Sequence, residues 1–114
     1  MGDERTGLLQ GTLDMLVLKA LSSGPLHGYA VARRIQQHSS DALKVEEGSL
    51  YPALHRLERR GFIESEWGLS DANRRAKYYR ITAAGKRELK ACAAEWKKLS
   101  DAIAQILSAR PEGA

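Results

Sequence analysis

Cysteine is almost absent from the 114 residues. Cys92 stands alone, which excludes an intramolecular disulfide and a cysteine-based zinc site. The three histidines, His27, His38 and His55, lack the spacing of metal ligands, so no metal is expected. No glycine-rich phosphate loop and no paired nucleophile and base occurs either, which leaves an enzyme with little support and implies no cofactor. Long apolar runs are missing as well, so no membrane-spanning segment is expected. Met1–Thr6 is polar and lacks the apolar core of a signal peptide. A reducing, cytoplasmic setting is the natural reading.

What remains is ordinary globular material: 43% hydrophobic and 28% charged residues. That composition builds one core in one small domain. Domains of this size bury a modest share of their surface and are often completed by a second subunit. The formal charge is +4, compatible with nucleic acid but weak on its own. Its distribution says more. Arg74, Arg75, Lys77 and Arg80 fall between Ala72 and Ile81 with no acid among them.

Periodicity orders the chain. Leu13–Leu21 is apolar almost throughout, broken by Asp14 and Lys19, and Thr12 is the expected cap of this first helix. A helix apolar nearly all round needs cover on more than one side, so Leu13, Leu16 and Val17 are candidates for contact with a second chain. Ser23, Gly24 and Pro25 end it. A second helix is expected over Gly28–His38, with Tyr29, Val31, Ala32 and Ile35 as its buried stripe. A third begins near Gly48 or Ser49 and stops before Gly61, with Pro52 tolerated only in its opening turn. The period then becomes alternating. Phe62–Trp67 and Lys77–Ile81 read as two strands joined by a turn-rich loop, with Ile63, Trp67, Tyr79 and Ile81 facing inward. Thr82 caps a last helix to about Ser108, followed by Pro111 and Gly113.

The fold class is therefore mostly α with a small β-hairpin: a winged helix-turn-helix over residues 1–82 and a long C-terminal dimerisation helix over 83–110. On the third helix, Leu50, Ala53, Leu54 and Leu57 share one face at 3.6 residues per turn. The remaining surface offers Ser49, Pro52, His55, Arg56 and Arg59 to base edges and phosphates, with Tyr51 on the flank. A solvated helix face would look similar. Its place just before a cationic hairpin is what favours double-stranded DNA. Arg74, Arg75 and Lys77 are the candidate wing contacts, since arginine on a hairpin suits a minor groove.

Along the last helix Leu89, Cys92, Trp96, Leu99, Ile103 and Ile106 recur at gaps of three and four, a heptad seam. At roughly 37 Å this helix outruns a compact domain of such size. The surplus seam argues for a homodimer. Trp96 has two readings: a large dimer-core side chain, or one of two facing indoles that hold a flat aromatic effector. Cys92 reads as a small buried apolar residue.

Four segments carry a family resemblance: Gly24-Pro25-Leu26-His27-Gly28-Tyr29, Gly48 to Glu58, Gly61-Phe62-Ile63 and Lys77 to Gly85. Together they resemble the PadR family of transcriptional regulators, in its compact form with a single C-terminal helix. The resemblance implies a homodimeric winged-helix repressor of a palindromic operator, released by a small aromatic molecule. By it, Tyr51 and its neighbours on the third helix would touch DNA, residues 74–77 would form the wing, and Trp96 would line the dimer interface. The alternative is a winged-helix scaffold that binds small aromatics or a protein without engaging DNA.

Overall fold

The computed structural model describes residues 3–111, with residues 3–10 as backbone only. Met1 and Gly2, part of the polar N-terminal stretch, and Gly113, expected beyond the last helix, lie outside the described residues. The element order is α1 (Asp3–Leu21), β1 (Leu26–His27), α2 (Gly28–His38), α3 (Glu47–Arg59), β2 (Ile63–Leu69), β3 (Arg75–Ile81) and α4 (Ala83–Ser108). The strands form one antiparallel sheet in the order β1-β3-β2. The expected winged helix-turn-helix with a long last helix is the fold observed.

Three details differ from expectation. α1 starts well before Thr12, which lies inside the helix and does not cap it. Gly11 weakens a helix without ending it, so the ladder runs through. The wing is not a bare hairpin, because Leu26 and His27 pair with Tyr79 and Tyr78. Two residues are too few to show alternation in a sequence. Tyr29 leaves the buried stripe of α2 and is 59% exposed. Val31, Ile35 and Gly28 are the buried residues there, and Tyr29 stands roughly 130° around the helix from their centre.

Each of the three helices before the wing contributes its apolar face to one core. Val17, Leu18, Ala20 and Leu21 of α1 meet Val31 and Ile35 of α2 and Leu50, Ala53, Leu54 and Leu57 of α3, and Ile63 and Tyr79 close it from the sheet. Val17 was expected at a subunit contact; it is completely covered by its own chain. Leu13 and Leu16 are half-buried and pack against the same core.

Two glycines set the join between core, wing and last helix. Gly61, at φ +80°, follows α3 in the left-handed region that glycine adopts without a Cβ penalty. Its N–H donates to the Glu58 carbonyl and the Phe62 N–H to that of Leu57, so the chain turns straight into β2. Thr82 then ties α4 to this turn. Its hydroxyl donates to the Gly61 carbonyl at 2.8 Å and accepts from the Gly85 N–H at 3.0 Å, the cap expected from sequence. Gly85 is buried so tightly that a Cβ would overlap the Phe62 carbonyl.

Backbone cannot retreat as a flexible side chain would. Gly85→Ala therefore lowers stability by about 1–3 kcal/mol, read as a fall in melting temperature with circular dichroism. An unchanged melt would mean that α4 does not dock on the base of the wing.

Candidate nucleic-acid interface

The buried face of α3 decides which residues are offered to the outside. Leu50, Ala53, Leu54 and Leu57 are each covered almost completely. At about 100° per residue, Pro52, His55 and Arg59 point furthest from that face, and all three are exposed. Ser49 lies on one flank and is half-buried, while Tyr51 lies on the other and is 45% exposed. The Tyr51 ring rests on the backbone of Gly28 at the start of α2, close enough that a Cβ there would come within 3.0 Å of it. That contact braces the two helices of the helix-turn-helix against each other.

Arg56 behaves differently from its expected companions. It is on the flank with Ser49, and its guanidinium donates to the Asp14 carboxylate of α1, Nη2 at 2.7 Å and Nε at 3.4 Å. Both side chains are largely covered, at 29% and 18% exposure. The charge is thereby committed within the chain, and a two-point Arg–carboxylate pair also fixes orientation. Asp14 escaped sequence reasoning because it looked like a break in an apolar run. A lone acid amid apolar residues was the available signal.

The wing divides in the same way. Lys77 lies on the core-facing side, with its Nζ 3.9 Å from Glu58 of α3 and 5.9 Å over the Tyr79 ring. Ser65 donates to the same Glu58 carboxylate at 2.5 Å. Burial, with the Glu58 charge beside it, pushes the Tyr79 phenol above its ordinary value. On the opposite side Arg80 pairs with Glu64 at 3.0 Å. The acid-free cationic run in the sequence thus meets acids in space, and two of its four charges are taken up. Arg74 and Arg75 remain exposed at the tip, with no ion pair recorded for either among the described residues.

The tip is also longer than expected. Gly68 pairs with Ala76 and Leu69 with Arg75, and a turn from Ser70 to Arg74 closes the hairpin through Asn73 at φ 60°. Three-residue loops ending in a left-handed residue have this form, and asparagine tolerates it.

The seam of α4 is covered at its start and bare towards its end. Leu89 packs on the core and Cys92 is half-buried, whereas Trp96 is 49% exposed, Leu99 59%, Ile103 46% and Ile106 73%. Burial pushes the Cys92 thiol up, and its Sγ–H donates to Glu88 at 3.3 Å, which holds the proton further. A thiol so held is a poor nucleophile at neutral pH. Among the described residues no three His, Cys, Asp or Glu side chains gather as metal ligands would. None of the helices described is long and apolar enough to cross a membrane.

A braced helix-turn-helix, an outward-facing third helix and a cation-tipped hairpin define a winged-helix protein of the DNA-binding class. The chain belongs to the transcriptional regulator PadR-like family, whose pattern matches residues 17–91. A PadR family transcriptional regulator from Eggerthella lenta is 35% identical, with TM-score 0.78 over 96% of this chain and 93% of its own. A transcriptional regulator from Clostridium thermocellum is 30% identical, with TM-score 0.78 over 87% of this chain and 96% of its own. The transcriptional regulator Rv3488 of Mycobacterium tuberculosis is 34% identical over 73 residues, 64% of each chain.

The Asp14–Arg56 pair is partly buried, and removing one charge strands the other. Asp14→Asn costs about 1–3 kcal/mol of stability, measured by urea denaturation. A cost near zero would mean that Arg56 is free to act elsewhere.

Proposed function

We propose that the protein is a homodimeric repressor that reads a palindromic operator and is released by a small, flat aromatic effector. The observation that carries this reading is an outward α3 face together with two wing cations, Arg74 and Arg75, that have no ion pair among the described residues. Pro52, His55 and Arg59 enter the major groove, with Ser49 and Tyr51 reaching sugar and phosphate from its edges. Arg74 and Arg75 lie along the neighbouring minor groove or its phosphates. Arg56 and Lys77, first counted as contacts, serve this reading better as ties that aim α3 and the wing.

Two copies are supported by the bare seam of α4. Large apolar patches on a lone chain are unusual, and a heptad seam is buried by a second helix. Leu13 and Leu16 of α1, with Leu89, Cys92, Trp96, Leu99, Ile103 and Ile106 of α4, form the contact. Two half-exposed Trp96 indoles brought together by the two-fold axis would make a slot for a planar apolar molecule. Occupying the slot changes the spacing of the two α3 helices and so the fit to DNA.

Binding to a labelled duplex from upstream of the chain's own gene tests the contacts. Arg59→Ala and Arg74→Ala each weaken it roughly 5- to 100-fold, and Arg74→Ala also reduces the slope of log affinity against log salt by about one. Unchanged affinity in both variants would overturn the assignment. In sedimentation at micromolar concentration the chain runs as two copies and Leu99→Asp as one; a wild-type monomer would remove the dimer from this account.

A further inference from the structure

The wing carries two bare apolar side chains near its tip. Trp67 is 59% exposed and Leu69 65% exposed, although the alternation of β2 puts both on the core-facing side with Ile63. The core ends before it reaches them. Ile63 is buried and Ser65 half-buried, whereas on this side of the strand Trp67 and Leu69 are left exposed among the described residues. Directly across from Trp67 is Lys77, and across from Leu69 is Arg75. Arg75 leans diagonally over the indole, its Cζ 4.8 Å from the ring centroid. The tip therefore presents an apolar side chain on each of two successive outward steps, with a guanidinium laid on the larger.

We propose that Trp67, Leu69 and Arg75 form an apolar-backed wedge that enters the minor groove beside the operator core and favours A·T-rich flanks. The proposal rests on the DNA-binding reading above and adds a sequence preference to it. Charge supports DNA as the occupant. Arg74 and Arg75 frame the patch with no ion pair recorded for either among the described residues, and the turn adds only one acid, Asp71. Continuity supports it too. Lys77, the cross-strand neighbour of Trp67, reaches Glu58 on the flank of α3, so the patch begins at the strand pair that touches the helix placed in the major groove.

The chemistry follows from what each groove offers. A narrow A·T minor groove has an enhanced negative potential that attracts arginine. Its walls are deoxyribose rings, against which an indole and a leucine bury apolar area, and apolar wedges are a recurrent device of minor-groove binders. Stacking on Trp67 also restrains Arg75 beforehand, so less side-chain freedom is lost on entry. A G·C flank opposes this with the guanine amino group, which fills the groove floor.

The experiment uses the full chain and two pools of duplexes, each with a randomised core, one flanked by A·T tracts and the other by G·C runs. Wild type recovers the A·T pool about tenfold over the G·C pool. In Trp67→Ala the preference falls to within twofold while core sequences are still recovered, and in Arg75→Lys the ratio between the two pools falls likewise, whatever the change in overall affinity. Arg75→Lys keeps the charge, so an equal loss there separates groove fit from simple attraction. Methylation of adenine N3, which projects into the minor groove, interferes with wild-type binding in the flanks and not with Trp67→Ala. Trp67 is exposed, and an unchanged circular dichroism spectrum confirms that the variant is folded.

Equal recovery of both pools by wild type, or an undiminished preference in Trp67→Ala, overturns the wedge and leaves DNA binding intact. Recovery of neither pool by wild type instead overturns the DNA-binding reading beneath it. Concentration-dependent association of wild type without DNA, lost in Trp67→Asp, would reassign the patch to a protein contact and also overturn the wedge.

Discussion

The burial of one face of α3 is the constraint on which the rest depends. Each fully covered leucine is worth about 2 kcal/mol of transfer from water, and Leu50, Leu54 and Leu57 lie side by side with Ala53 between them. Rotating the helix by a third of a turn would expose two of them, a loss that no surface ion pair recovers. The core therefore sets which residues point out, and polar contacts trim the setting. Asp14 holds the Arg56 flank from α1, Gly28 supports Tyr51 from α2, and Ser65 and Lys77 hold Glu58 from the wing. Three neighbours thus fix α3 along its length.

A second constraint comes from size. The domain has enough apolar material for one core, and α4 begins on it, with Gly85 pressed to the wing base and Leu89 against the cluster. Past Cys92, among the described residues, the seam side chains from Trp96 to Ile106 stay largely uncovered. The structure spans 65 Å in its longest direction and 31 and 22 Å in the others, so the end of α4 carries its seam away from the body. In the proposed dimer a second seam would supply the missing cover, because a two-fold axis presents the same face to itself. In that dimer α1, which packs on both α3 and α4, would link the third helix to the subunit contact.

Much of this was legible in the residues. Leu50, Ala53, Leu54 and Leu57 fall on one helical face by spacing alone, Thr82 announces the cap of α4, and the heptad gaps from Leu89 to Ile106 mark the seam. Other features were not legible, for identifiable reasons. β1 is too short to show a period, and its pairing with β3 is long-range. Arg56 and Lys77 look like free cations because their partners, Asp14 and Glu58, sit 42 and 19 positions away, and charge runs in a sequence reveal nothing of such pairing. Tyr29 passed for core because an aromatic residue beside a buried stripe resembles part of it. Alternation correctly gave Trp67 its side of the sheet, but it cannot say where the covering core stops.

The most direct measurement is selection of bound fragments from the source genome at near-physiological salt. A recovered pseudo-palindrome whose half-sites lie about 34–36 Å apart is the predicted result, since two outward α3 faces related by a two-fold axis require it. Sequence-blind recovery that collapses as salt is raised would contradict the account, leaving a surface that attracts phosphate without reading bases.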